Sequence, residues 1–143
     1  MATERKAEAV WQGDLMNGSG TITANTSGAL PELDVSWAAR SEEPGGKTSP
    51  EELIAAAWAS CFAMALANGL AQGGNAPEKL ETSATLTFQP GEGIIRGKLT
   101  VRGTVAGLDE DAFRSAAEDA KANCPVSKAL AGIPDVSLEA SLA

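Results

Sequence analysis

The apolar-rich run "AEAVWQGD" and the alternating "TITAN" lie on either side of the turn-rich "NGSG". A period of two bounded by turn residues predicts a β-hairpin beginning near Ala7. In "ELDVSWAAR", Leu33, Val35 and Trp37 alternate with polar neighbours, which predicts a third strand ending at about Arg40. "SEEPGGKT" then breaks regular structure with a proline and paired glycines. At Ser49 the pattern changes. "SPEELIAAAWASCFAMALANGLA" has no charge after Glu52, and its start carries a helix signature: Ser49 to cap, Pro50 at the first position, and Glu52 completing a capping box. The helix should reach roughly Leu70, a length of roughly 30 Å at 1.5 Å per residue.

The second half repeats the strand pattern and then returns to helix. "LETSATLTFQ", the turn "PGEG" and "IIRGKLTVRGTVAG" predict a further antiparallel pair with its hairpin at Pro90 to Gly93. Asp109 can cap a helix that places Phe113, Ala116, Ala117 and Ala120 on one face and stops near Asn123. "PVSKALAG" predicts a short helix with proline first, and "DVSLEASLA" a last strand. The expectation is one α+β domain over residues 1–143, with two antiparallel β-sheets around a long buried central helix.

That helix is apolar all round. Ile54, Ala57, Trp58, Cys61, Met64 and Ala65 occupy one side, while Ala55, Ala59, Phe62, Leu66 and Leu70 occupy others. A helix without a polar face requires burial on every side, which is difficult for one small chain to provide. A homodimer pairing two such helices, whose alanines permit close approach, would supply it.

Composition narrows the function. The net charge is −8 and no block of Lys or Arg is present, so the footprint of a nucleic-acid binder is missing. "MATERKAEAVWQGD" has no apolar core before a cleavage site, which points to the cytoplasm rather than secretion. The uncharged stretch from Leu53 to Pro77 is interrupted by Asn68, Gln72, a Gly-Gly pair and Asn75, and is expected to be a soluble core helix rather than a membrane span. Histidine is absent, which removes the common zinc patterns and His-based acid–base chemistry. Two distant cysteines do not form a disulfide framework, but redox chemistry stays open.

Each cysteine admits two readings. Cys61, among alanines, can be a small core residue, and burial there would raise its pKa unless a cation compensates. Cys124 directly precedes a helix-start proline, where the helix dipole favours a thiolate, so on local grounds it is the better nucleophile. It can equally be a turn residue without chemistry. Glu51 opens the long helix and Arg40 closes the strand before it. Within one helix Glu51 is roughly 15 Å from Cys61, so any site joining the two would need another arrangement, such as antiparallel helices of a dimer with Arg40 between them.

"SPEELIAAAWASCFAMAL" followed by "NCPVSKAL" resembles the OsmC/Ohr family, on the OsmC side, and the likeness extends from "AVWQGD" and "SGTITANTSG" through "GLDEDAF" to the last strand. The resemblance implies an α+β fold in an intertwined homodimer with sites at the subunit interface. It implies reduction of organic hydroperoxides, and less uniformly of hydrogen peroxide, by thiols without metal, haem or flavin. By motif Cys61 would be the peroxidatic and Cys124 the resolving cysteine, with Arg40 and Glu51 beside the reactive thiol and an external dithiol, such as a lipoyl system, as reductant. This reverses the local ranking of the sulfurs. Trp58 stands where many relatives carry histidine or tyrosine, and with Phe62 and Met64 it is a candidate wall for an apolar pocket. Two other readings compete: a non-enzymatic dimeric stress or apolar-ligand-binding protein, and a protein thiol–disulfide oxidoreductase, which the lack of a C-x-x-C motif disfavours.

Overall fold

A computed structural model describes residues 1–143, which form two compact units, Met1–Pro50 and Glu51–Ala143. In the first, β1 (Glu8–Gln12), β2 (Ser19–Thr23) and β3 (Leu33–Val35) make an antiparallel sheet in that order, followed by a short helix α1 (Trp37–Ser41). The expected strand to Arg40 is therefore only three residues long. Ser36 ends it: its hydroxyl accepts from the Ala39 N–H at 3.1 Å and caps α1, so Trp37 and Arg40 are helical.

The second unit is built on α2 (Pro50–Gln72), which starts at the proline as expected and runs two residues beyond Leu70. Its end is a Schellman arrangement, with the Asn75 N–H on the Leu70 carbonyl at 2.9 Å and the Gly74 N–H on Ala71 at 3.0 Å. Gly74 takes the required left-handed conformation at φ 89°.

Strands β4 (Lys79–Gln89), β5 (Gly93–Thr104) and β6 (Asp135–Leu142) form the second sheet, in that order. The hairpin β4–β5 is antiparallel as predicted, but β6 runs parallel to β5, so this sheet is mixed and the expectation of two antiparallel sheets is corrected. The cause is the connection. Helices α3 (Glu110–Asn123) and α4 (Pro125–Ala129) lie between β5 and β6 and carry the chain back to the starting end of β5.

Burial in this unit follows the two periods of the sequence. Trp58, Phe62, Leu66 and Leu70 recur every fourth residue of α2 and are buried, as are Phe113, Ala117 and Ala120 of α3. Between them Gly97, Leu99, Val101 and Gly103 alternate along β5, and Leu99, Val101 and Cys124 complete the core. Burial of α2 on all sides is not achieved by one chain: beyond its first turn this row alone is enclosed, while Met64 on another face is 72% exposed. Of the residues proposed for an apolar pocket, Trp58 and Phe62 are instead core and Met64 faces outward.

Candidate active site

One helix and one helix junction bring the cysteines together. Cys61 lies in the middle of α2, one residue before the buried Phe62, so it sits at the edge of the core row and is partly exposed. Cys124 terminates α3 and precedes Pro125, the first residue of α4, and its exposure is 0%. Both are free thiols, and a hydrogen bond joins their sulfurs, 2.8 Å apart. At that separation a disulfide needs only a small adjustment.

The surroundings shift the two thiols in opposite directions. Burial pushes the Cys61 pKa up, the hydrogen bond with Cys124 adds to this, and the Val126 N–H opposes it. Burial also acts to raise Cys124, but it is outweighed by the hydrogen bond from Cys61, the Ser127 N–H and hydroxyl, and the Val126 N–H, so the net shift is downward. These N–H groups belong to the first turn of α4, where unpaired donors and the helix dipole favour negative charge. They act on the sulfur without the geometry of a side-chain cap. Negative charge is therefore better stabilised at Cys124 than at Cys61.

Packing fixes the pair from one further side. The indole Nε1–H of Trp58 donates to Ser127 Oγ at 2.7 Å. The indole reaches that position because β5 carries glycine opposite it: a Cβ on Gly97 would stand 2.8 Å from the ring. Neither Ser127 nor this contact was anticipated from the sequence, where the available signal was a serine at the third position of a proline-initiated helix.

Glu51 and Arg40, the other expected site residues, belong to different units. Glu51 is in the first turn of α2 and is buried, at 7% exposure. Arg40 is in the last turn of α1, where it lines an apolar-walled groove of about 370 Å³ with Trp11, Leu15, Val35, Trp37 and Pro50. The tryptophans facing a groove are thus Trp11 and Trp37 rather than Trp58.

Fold and site together define an α+β protein with two three-stranded sheets, one long helix and a paired-thiol centre. The family model described as OsmC-like protein matches residues 43–139, and the chain belongs to the OsmC family. It is 37% identical over 133 residues to Peroxiredoxin OsmC of Escherichia coli (strain K12), covering 91% of this chain and 92% of that protein. Among solved structures, the organic hydroperoxide resistance protein OsmC of Legionella pneumophila superimposes with a TM-score of 0.65 at 28% identity, covering 95% of this chain and 96% of that one. An OsmC-like protein of Mycoplasma pneumoniae reaches a TM-score of 0.74 at 15% identity, covering 99% of each chain, a likeness of fold alone.

Proposed function

We propose that the protein is a cysteine-based peroxidase that reduces organic hydroperoxides, with hydrogen peroxide as a further substrate, with Cys61 peroxidatic and Cys124 resolving. The observation that carries this reading is the pair of free sulfurs 2.8 Å apart, one partly exposed and the other fully enclosed. A peroxide can reach only the exposed member. Kinship with a protein named peroxiredoxin supports the peroxide as oxidant.

The Cys61 thiolate attacks the outer peroxide oxygen, the O–O bond breaks, and the alkoxide leaves with a proton as alcohol. Cys61 is then a sulfenic acid. The Cys124 sulfur attacks it, forming the disulfide and releasing water, which stops oxidation short of sulfinic acid. An external dithiol, for which a lipoyl group is a suitable chemistry, takes up the disulfide by exchange and becomes oxidised in turn. No metal or organic cofactor enters the cycle.

Because its surroundings in the second unit hold Cys61 protonated, the reaction requires a cation to form the thiolate. We assign that role to Arg40, with Glu51 orienting it, in a homodimer that covers the exposed faces of α2. The working compartment is the cytoplasm. The test is mass spectrometry after one equivalent of cumene hydroperoxide. A Cys61–Cys124 crosslink is expected; a protein with neither crosslink nor sulfur adduct would leave the cysteines as packing residues and remove the reading.

A further inference from the structure

The hydrogen bond between Trp58 and Ser127 lies at a particular place relative to the two sulfurs. Trp58 precedes Cys61 by one helical turn on α2, and Ser127 follows Cys124 by the first turn of α4. Each cysteine-bearing segment therefore contributes one sulfur and one hydrogen-bonding group, and the two contacts, 2.8 Å between sulfurs and 2.7 Å between Nε1 and Oγ, tie the same two segments together. Trp58 is 1% exposed, so its N–H has no access to water, and an indole N–H can only donate. Ser127 satisfies it. The ring cannot retreat, because it is seated against the backbone of β5 at Gly97.

We propose that Trp58 and Ser127 are positioning residues: their hydrogen bond is a clamp that holds the start of α4 on α2 and thereby sets the effective concentration of Cys124 at Cys61. The clamp touches neither peroxide nor reductant. Its consequence for catalysis, rapid disulfide closure in place of further oxidation, rests on the function proposed above, but its existence does not. Ser127 has a second connection to the same sulfur, since its N–H and hydroxyl stabilise negative charge on Cys124.

The experiment reads the clamp without peroxide. Purified protein is equilibrated in mixtures of reduced and oxidised glutathione, and the Cys61–Cys124 disulfide is quantified after acid quenching. In the exchange one glutathione disulfide is reduced to two glutathione thiols while the protein's two thiols are oxidised to the disulfide, so the equilibrium constant, in units of concentration, is the effective concentration of the pair. Trp58→Phe, which keeps a ring but loses the donor, and Ser127→Ala should each lower it about 3- to 10-fold, the scale of one buried hydrogen bond. Ser127→Thr, which keeps the hydroxyl, should stay closer to the unsubstituted protein than Ser127→Ala. Leu70→Ala, a core truncation at the far end of α2, controls for general loosening: it should lower the urea midpoint and leave the glutathione equilibrium in place. Equal constants for the unsubstituted protein, Trp58→Phe and Ser127→Ala would overturn the clamp, as would an equal shift from Leu70→Ala. A shifted equilibrium in protein that consumes no peroxide would uphold the clamp and reject the proposed reaction.

Discussion

Cys61 and Cys124 touch, yet they occupy opposite kinds of place. Cys61 lies within a continuous helix whose backbone N–H groups are committed to the helix ladder, and one side of its side chain is open. Cys124 lies at a joint between two helices, wholly enclosed, and faces the N–H groups that begin α4. Access and charge stabilisation are thus given to different sulfurs. The reachable thiol is held protonated, and the thiol that can hold charge is out of reach. A pair built this way is quiet until something lowers the pKa of Cys61, which is a physical reason to expect a cation at this site rather than a deduction from kinship alone.

The largest effect should come from exchanging the two places chemically. Cys61→Ser should lower peroxide consumption by more than about 100-fold, the scale of losing a covalent nucleophile. Cys124→Ser should keep the first turnover and lose the disulfide, seen as a sulfenic or sulfinic acid on Cys61 by mass spectrometry. If instead Cys124→Ser stopped the first turnover, the assignment of attack to the accessible sulfur would be reversed.

The next test concerns the missing charge. In the Cys124→Ser background, alkylation of Cys61 by iodoacetamide reports its thiolate as a function of pH. A positive charge favours the thiolate, so removing it raises the pKa and slows alkylation at neutral pH. Arg40→Ala should move the midpoint up by about one to three pH units. An unchanged profile would show that Arg40 is not the cation and that Cys61 is activated by another group.

Much of this arrangement was legible in local sequence. Pro50 and the two acids after it marked the start of α2, and Asp109 marked the start of α3, because capping depends on residues a few positions apart. Pro125 likewise placed Cys124 at a helix start. Strand direction was not legible. The alternation in "DVSLEASL" shows which side chains share a face but is the same read forwards or backwards, and only the crossover through α3 makes β6 parallel. The strand expected to end at Arg40 failed for a related reason: Leu33, Val35 and Trp37 fit a period of two, and the hydroxyl of Ser36 turns the chain into a helix between the second and third of them. The contact from Trp58 to Ser127 spans 69 positions, and no local pattern reports it. The pairing of the two sulfurs was likewise suggested by family resemblance and not by spacing.

A smaller effect is expected at the seat of the indole. A methyl group on Gly97 would meet the Trp58 ring at 2.8 and 2.9 Å, below normal van der Waals contact, and the facing neighbour is the large buried side chain that carries the clamp. Gly97→Ala should therefore cost about 1–3 kcal/mol in urea unfolding of the reduced protein, as overpacked cores do. Gly69→Ala, where a Cβ meets nothing within 4 Å, is the matched substitution that should not. A neutral Gly97→Ala would mean that the indole can shift freely and that Gly97 does not fix the seat from which Trp58 reaches Ser127.

The smallest effect separates the two ways in which Cys124 could be held, by the end of α3 or by the contact across to α2. Asp109 Oδ1 accepts from the Ala112 N–H at 2.8 Å and caps the opposite end of α3. Asp109→Ala frees that donor and removes a negative charge from the first turn, which costs about 1 kcal/mol. Fraying stays within the first turn, because the remaining turns keep their own hydrogen bonds and Phe113, Ala117 and Ala120 remain packed on the core. Amide exchange should quicken at the start of α3, while the glutathione equilibrium of the Cys61–Cys124 pair stays at its unsubstituted value. A shift in that equilibrium as large as the one from Ser127→Ala would mean that Cys124 is positioned by its own helix, and that the bond from Trp58 only accompanies it.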